Sequence, residues 1–182
     1  MQDRAYIRTA QPEDAAWIGQ FLREYWHDTV VAVHGEAIDA AALPALIAGD
    51  RQGLVTYRVF CREAELVTLN AEPANAGIGA ALIEGLARRL TEAGIERLWL
   101  TTTNGRLAAL RFYRRRGFRP VQLRVGAVDQ ARRLKPSIPV VGEGGVPVRD
   151  EIDLCLDLHQ TSGRGTGLPP WSRGQSGTSN KL

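Results

Sequence analysis

The sequence predicts a single mixed α/β domain, on three observations. Two β-rich runs, Leu54 to Phe60 and Glu65 to Leu69, stand close enough to pair as a hairpin. A strand, a glycine-bearing turn and an amphipathic helix then follow one another from residue 65 to 93, with a further strand at 97 to 102. Glu151 to Leu158 alternates strictly between polar and apolar and forms a last strand with one buried face. The order strand, helix, strand calls for a right-handed parallel crossover, so the sheet mixes parallel and antiparallel neighbours.

Element by element, Tyr6-Ile7-Arg8 makes a short strand. Pro12-Glu13-Asp14 opens a helix whose apolar residues Ala15, Ile18, Phe21, Leu22 and Tyr25 recur at helical spacing. Residues 28 to 44 are ambiguous: the Ala-rich stretch 40 to 48 reads as helical, but Gly35, Pro44 and Gly49 interrupt the segment, so a mobile loop followed by a short strand near 45 to 48 fits equally. Arg62-Glu63-Ala64 separates the two strands of the hairpin. Ile78, Leu82, Ile83, Leu86 and Leu90 form one stripe of a helix that stops at Gly94. A second helix spans about 106 to 116 and stops at Gly117, and Phe118 to Val125 returns as a strand. Residues 126 to 148, broken by three prolines and several glycines, form a long excursion with a short helix near 128 to 134. From 160 to 182 the chain is mostly Gly, Ser, Thr, Pro and Arg, and is expected to be a disordered tail behind a domain of residues 1 to 159.

Composition narrows the function. Of 182 residues, 44% are hydrophobic and 24% charged, which are globular values, and the formal net charge is +3. The densest basic run, Arg114 to Arg116, is too short for a nucleic-acid stripe. Two cysteines, Cys61 and Cys155, make no disulfide framework, and His27, His34 and His159 lack ligand spacing, so no metal is expected. The absence of a leader-like or spanning segment gives the expectation of a cytoplasmic protein that engages neither membrane nor nucleic acid.

The chemistry lies in residues 74 to 83, Ala-Asn-Ala-Gly-Ile-Gly-Ala-Ala-Leu-Ile, and in Leu110-Arg111-Phe112-Tyr113 followed by Gly117-Phe118. The leading amides of a helix have no internal partner and sit at the positive end of its dipole, so a glycine turn there suits a diphosphate. The third glycine of a dinucleotide fingerprint and the lysine of a P-loop are both missing, which disfavours nicotinamide and nucleoside triphosphate.

These segments resemble the GCN5-related N-acetyltransferase (GNAT) superfamily over roughly residues 4 to 158. Thr101-Thr102-Thr103-Asn104 and Leu134-Lys135-Pro136-Ser137-Ile138-Pro139 are similar to a bacterial subgroup. The resemblance implies a mostly antiparallel twisted sheet flanked by helices, around a parallel β-α-β core that binds acetyl-CoA. It implies direct transfer to a primary amine in a ternary complex. Asn75, Ala76, Gly77, Ile78, Gly79 and Ala80 would cradle the diphosphate, and a strand amide near Leu69 or Asn70 would polarise the thioester. Asn104, Ala109, Phe112 and Arg115 would attend the pantetheine arm and phosphates. Tyr113 would be the acid for the departing thiolate and Glu65 the base for the amine. Each has an ordinary alternative: Tyr113 as packing against Phe112 and Phe118, Glu65 as a strand-end carboxylate, Asn104 as a helix cap, Arg115 as a solvated face.

Two positions depart from the family pattern, Ala74 where Arg or Gln is usual and Arg106 where Asn is usual. They support a rival reading, a non-catalytic acyl-CoA-binding sensor. Trp26, Asp28 and Glu151 are candidates for the acceptor site. With Glu24, Asp150 and Asp153 they suggest an anionic mouth for a cationic small-molecule amine of aminoglycoside type; a polyamine, a lysine or a protein N-terminus stays open. The family habit also brings in a homodimer, with the last strand as an edge.

Overall fold

The computed structural model describes residues 6–158 and 169–172. The chain runs through β1 (Ile7–Thr9), α1 (Ala15–Trp26), β2 (Val30–Val33), β3 (Glu36–Asp39), β4 (Ala45–Ala48), β5 (Gly53–Phe60), β6 (Glu63–Ala71), α2 (Ile78–Glu92), β7 (Arg97–Thr103), α3 (Leu107–Arg114), β8 (Arg119–Arg124), α4 (Ala127–Leu134) and β9 (Glu151–Asp157). Seven strands form one sheet in the order β1-β4-β5-β6-β7-β9-β8, in which β6 and β7 pair in parallel and every other neighbour is antiparallel.

Helices cover both sides of the sheet because its strands carry apolar residues on both. Against one face, α2 presents Ile78, Leu82, Ile83, Leu86 and Leu90, the stripe that the sequence spacing gives, and packs on Val55, Ala64, Leu66, Leu98, Leu100 and Leu154. Burying each such side chain contributes about 1.5–3 kcal/mol. The other face receives α1 through Ile18, Phe21 and Leu22, together with Val31, Val33 and Ile38. β4 serves both, which explains why Ala45–Ala48 is buried throughout and reads as an unbroken apolar run.

Four expectations are corrected. Residues 30–39 are not a mobile loop but a second antiparallel hairpin, β2–β3, turning at His34 and Gly35 with φ of 57° and 75°. Positive φ at both central residues is the hairpin geometry that matches strand twist, and Val30-Val31-Ala32-Val33 before His-Gly is its signature. Glu63 and Ala64 belong to β6 rather than to the turn, and the reversal is made by Cys61, at φ 53°, and Arg62. β9 lies between β7 and β8 and has no free edge for a dimer; the outer strands are β1 and β8. Within the expected tail, residues 170–172 form a turn of 3₁₀ helix with Trp171 packed against the domain, while 160–168 and 173–182 lie outside the described residues.

One irregularity shapes everything that follows. β6 pairs with β7 over Glu63–Leu66 and Arg97–Leu100 only. Beyond that point β6 stays with β5 and β7 stays with β9, out to Thr103 opposite Glu151, so the sheet splits. A bulge accompanies the split. Thr56 faces Thr68 while Tyr57 faces Leu66, which leaves Val67 as the extra residue and bends β6 away from β7.

Candidate functional site

The split opens onto a cavity of about 360 Å³ lined by residues from both halves of the sheet, among them Leu66, Val67 and Leu69 from β6 and Leu100–Thr103 from β7. α3 contributes Ala109 and Tyr113 on one side of the sheet. Tyr25, Trp26, Val31 and Val33 close it from the other, with Ser137, Ile138 and Pro139 from the excursion after α4. The loop holding Val148 is drawn in by a close backbone approach. An added Cβ on Gly142 would lie 2.5 Å from the Gly105 carbonyl oxygen and 2.7 Å from its Cα, so both positions exclude a side chain.

At the end of β6 the chain turns through Asn75, at φ 64°, and Gly77, at φ 81°, into α2. The helical ladder begins with the Ala81 amide donating to the Gly77 carbonyl at 3.0 Å, which leaves the amides of Ile78, Gly79 and Ala80 ahead of it without ladder partners. Asn75, Ala76 and Gly77 are exposed, and nothing lies within 4 Å of the place where a Gly77 Cβ would stand. The phenyl ring of Phe112 packs beneath Gly79, 3.2 Å from its ideal Cβ, and the Arg116 guanidinium lies 3.5 Å above that ring's centre. Phe112 therefore holds α3 against the N-terminus of α2 and supports the cradle from below. The open approach, the free amides and the dipole fit a diphosphate, and the adjoining split fits the slender arm of an acyl carrier.

Tyr113 sits against Phe118 and Phe112 at ring separations of 5.6 and 5.2 Å and still lines the cavity, so its packing does not withdraw it from the cavity wall. Burial pushes its phenol up to about 12, which keeps the proton on oxygen across the neutral range. Cys155 is buried and its thiol is likewise pushed up to about 12, so it supplies no thiolate.

Glu65 reaches the cavity wall, but both oxygens are engaged. Oε1 lies 2.7 Å from His34 Nε2 and Oε2 accepts from Arg58 Nε at 2.6 Å. A carboxylate accepts only, so His34 Nε2 carries its hydrogen, and the buried Nδ1 has no partner among the described residues. Thr101 stands 3.3 Å from the same Nε2 and donates to Asp153 at 2.6 Å, while Arg124 joins Asp153 at 2.9 Å and Glu151 at 2.7 Å. Trp171 stacks on His34 with ring centres 3.9 Å apart and directs its Nε1 to Asp153 at 3.4 Å.

The structure thus brings together Leu69, Ala109, Tyr113, Glu65, Trp26 and Glu151 around one cavity. Asn70 stands behind that wall and accepts from Trp26 Nε1 at 2.6 Å, fixing the indole. Three sequence candidates fall elsewhere. Asn104 spends its amide on the Pro147 carbonyl at 2.9 Å and on the Arg149 and Asp150 amides at 3.0 and 3.1 Å, binding the end of β7 to the segment before β9. Asp28 is exposed and accepts from the Thr29 amide at 2.7 Å. Arg115 is exposed at the end of α3, off the cavity. Glu151 and Asp153, expected in an anionic mouth, are instead buried and paired with Arg124. His34, Arg58, Lys135 and Trp171 escaped the sequence reading; only alternation along β5 marks Arg58 as sharing a face with its neighbours across the sheet.

Among the described residues no cluster of His, Cys, Asp and Glu is arranged to hold a metal ion, and no helix is long and apolar enough to cross a membrane. A split parallel pair with a helix N-terminus at its mouth defines an acyl-carrier transferase class of fold. Residues 12–118 match the acetyltransferase (GNAT) family. The uncharacterized protein YxbD of Bacillus subtilis (strain 168) is 34% identical over 158 residues, covering 84% of this chain and 98% of that one. Among solved structures, a Bacillus subtilis acetyltransferase in complex with CoA superposes with a TM-score of 0.59 at 17% identity, over 84% of this chain and 98% of its own. A GNAT family acetyltransferase from Elizabethkingia anophelis with acetyl-CoA bound gives 0.59 at 16%, over 85% and 99%. The chain belongs to the GNAT acetyltransferase family.

Proposed function

We propose that this protein transfers the acetyl group of acetyl-CoA to a primary amine of a small molecule, with both bound at once. The observation that carries the reading is the split between β6 and β7, which places Tyr113 and Glu65 on one continuous cavity. Bound acetyl-CoA would supply an activated acyl group and a thiolate as leaving group. The amides of Ile78, Gly79 and Ala80 hold its diphosphate, and Gly77 keeps the approach open. The edge of β6 freed beyond Leu66 offers backbone groups to the arm and the acyl oxygen. Opposed walls position the two reactants, which lowers the entropic part of the barrier.

The new bond forms between the amine nitrogen and the acyl carbon as the carbon–sulfur bond breaks. The amine proton passes to the Glu65–His34 pair, and the Tyr113 hydroxyl protonates the sulfur. Residues 1 to 159 are taken as the catalytic domain, acting in the cytoplasm, as monomer or homodimer.

The test is thiol release from acetyl-CoA against a panel of amino acids, polyamines, aminoglycosides and short peptides, for wild type and Tyr113→Phe. Turnover that falls in the variant with acetyl-CoA binding unchanged supports the enzyme. Acetyl-CoA binding by calorimetry without turnover of any amine would favour the sensor, to which Arg106 on the cavity wall lends the one specific observation.

A further inference from the structure

Ion pairing around the cavity is uneven. Its two carboxylates, Glu65 and Glu151, are both paired, the first with Arg58 and His34 and the second with Arg124, which also serves Asp153. Its cations are not. Neither Lys135 nor Arg106 forms an ion pair among the described residues.

Lys135 is the more telling of the two, because it is only 9% exposed. Its Nζ donates to the Trp26 carbonyl at 2.9 Å and to the Val30 carbonyl at 2.7 Å. An ammonium has three protons, so one is left over, and the residue lines the cavity. Both hydrogen-bond partners are neutral and Asp28 acts on the ammonium only through space, so its burial is costly and an arriving anion would relieve that cost. The surrounding walls are apolar: Tyr25, Trp26, Val31, Val33 and Ile138. They lie on the α1 and β2 side, away from Ala109 and Tyr113 of α3.

We infer that the acceptor amine carries a carboxylate, which Lys135 binds at the end of the cavity opposite Tyr113, with an apolar body between. This names the substrate class for the acetyltransferase reading and rests on it. The arrangement disfavours polycations such as aminoglycosides, which would bring like charge to a desolvated ammonium.

The experiment compares wild-type kcat/KM for matched pairs, leucine with leucinamide and phenylalanine with phenylalaninamide, each referred to the neutral fraction of its amine, and repeats it with Lys135→Gln. The acid is expected to exceed its amide by tenfold or more in wild type, and the variant to bring the two within about threefold at unchanged acetyl-CoA affinity. Amides turned over as well as the acids by wild type would overturn carboxylate recognition while leaving acetyl transfer standing. An equal loss on both members of a pair in Lys135→Gln would make Lys135 a pin for α1 and β2 and nothing more. If that variant does not fold, the wild-type comparison decides alone. No turnover of any amine by a protein that binds acetyl-CoA would overturn the acetyltransferase reading and this one with it.

Discussion

His34 Nε2 lies 2.7 Å from Glu65 Oε1, and each side chain is 2% exposed. A hairpin turn of β2–β3 and the first part of β6 are thereby joined at the wall of the cavity, between residues 31 positions apart. Glu65→Gln is expected to lower kcat/KM by about 10²-fold or more, in the range of a positioned proton acceptor. Removing one partner from a buried pair also costs about 3–5 kcal/mol, so melting temperature must be followed alongside. A variant that melts lower but turns over normally would remove Glu65 from the mechanism.

Tyr113→Phe is expected to lower kcat by about 10²–10³-fold, with the acetyl-CoA Kd unchanged by calorimetry. Because burial raises the phenol to about 12, its proton stays in place well above neutral pH. The rate should therefore show no loss from Tyr113 as pH rises from 7 to about 9. The same shift stabilises the fold fully below the ordinary tyrosine value of 10.0, and that contribution is lost as pH rises from there through 12.

Gly77→Val is expected to weaken acetyl-CoA binding without altering acceptor preference. The position is open, so no clash arises; the cost is the φ of 81°, about 1–2 kcal/mol for a side-chain-bearing residue. Relief of that strain would turn the amides of the cradle. Unchanged calorimetric affinity would show that the turn does not hold the cofactor.

Trp171→Ala is expected to change the acceptor KM and leave acetyl-CoA affinity alone, because the indole covers His34 and meets Trp99 edge-on at 6.0 Å, on the face away from α2. Loss of the stacking should cost about 0.5–1.5 kcal/mol, a shift of a few degrees in Tm. Identical kinetics would confine Trp171 to packing.

Asp14 sits ahead of α1 with Arg8 at 2.6 and 2.9 Å and the Gln11 amide at 2.9 Å. The Arg8 hydrogen bonds, and then that amide, hold its carboxyl well below the usual range. A depressed value stabilises the fold above the ordinary carboxylate pKa and loses its effect as pH falls below it. Wild type should therefore lose Tm steeply below about pH 4, and Asp14→Asn should flatten that dependence.

Local patterns carried much of this protein. The stripe Ile78, Leu82, Ile83, Leu86 and Leu90 announces α2, Gly77-Ile78-Gly79 announces its open, glycine-bearing start, and the strict alternation of 151 to 158 announces β9. The His34-Gly35 hairpin was equally local, yet glycine and proline nearby masked it. Asn104 had the right neighbours for a cofactor contact, but an amide side chain bonds whatever polar backbone comes near. Here that backbone arrives from residues 147 to 150.

What the sequence by itself determined is the family, the order of helices and strands outside the β2–β3 hairpin, and the glycine turn that opens α2, because these follow from periodicity and from turns that a few adjacent residues impose. Tertiary structure alone decided the charged wall of the cavity. His34, Arg58, Lys135, Glu151 and Trp171 come from five separate elements, and whether each charge is free or matched depends on partners as far away as the 109 positions between Lys135 and Trp26. Electrostatic character belongs to neighbours in space, and only the packing of the split sheet selects them.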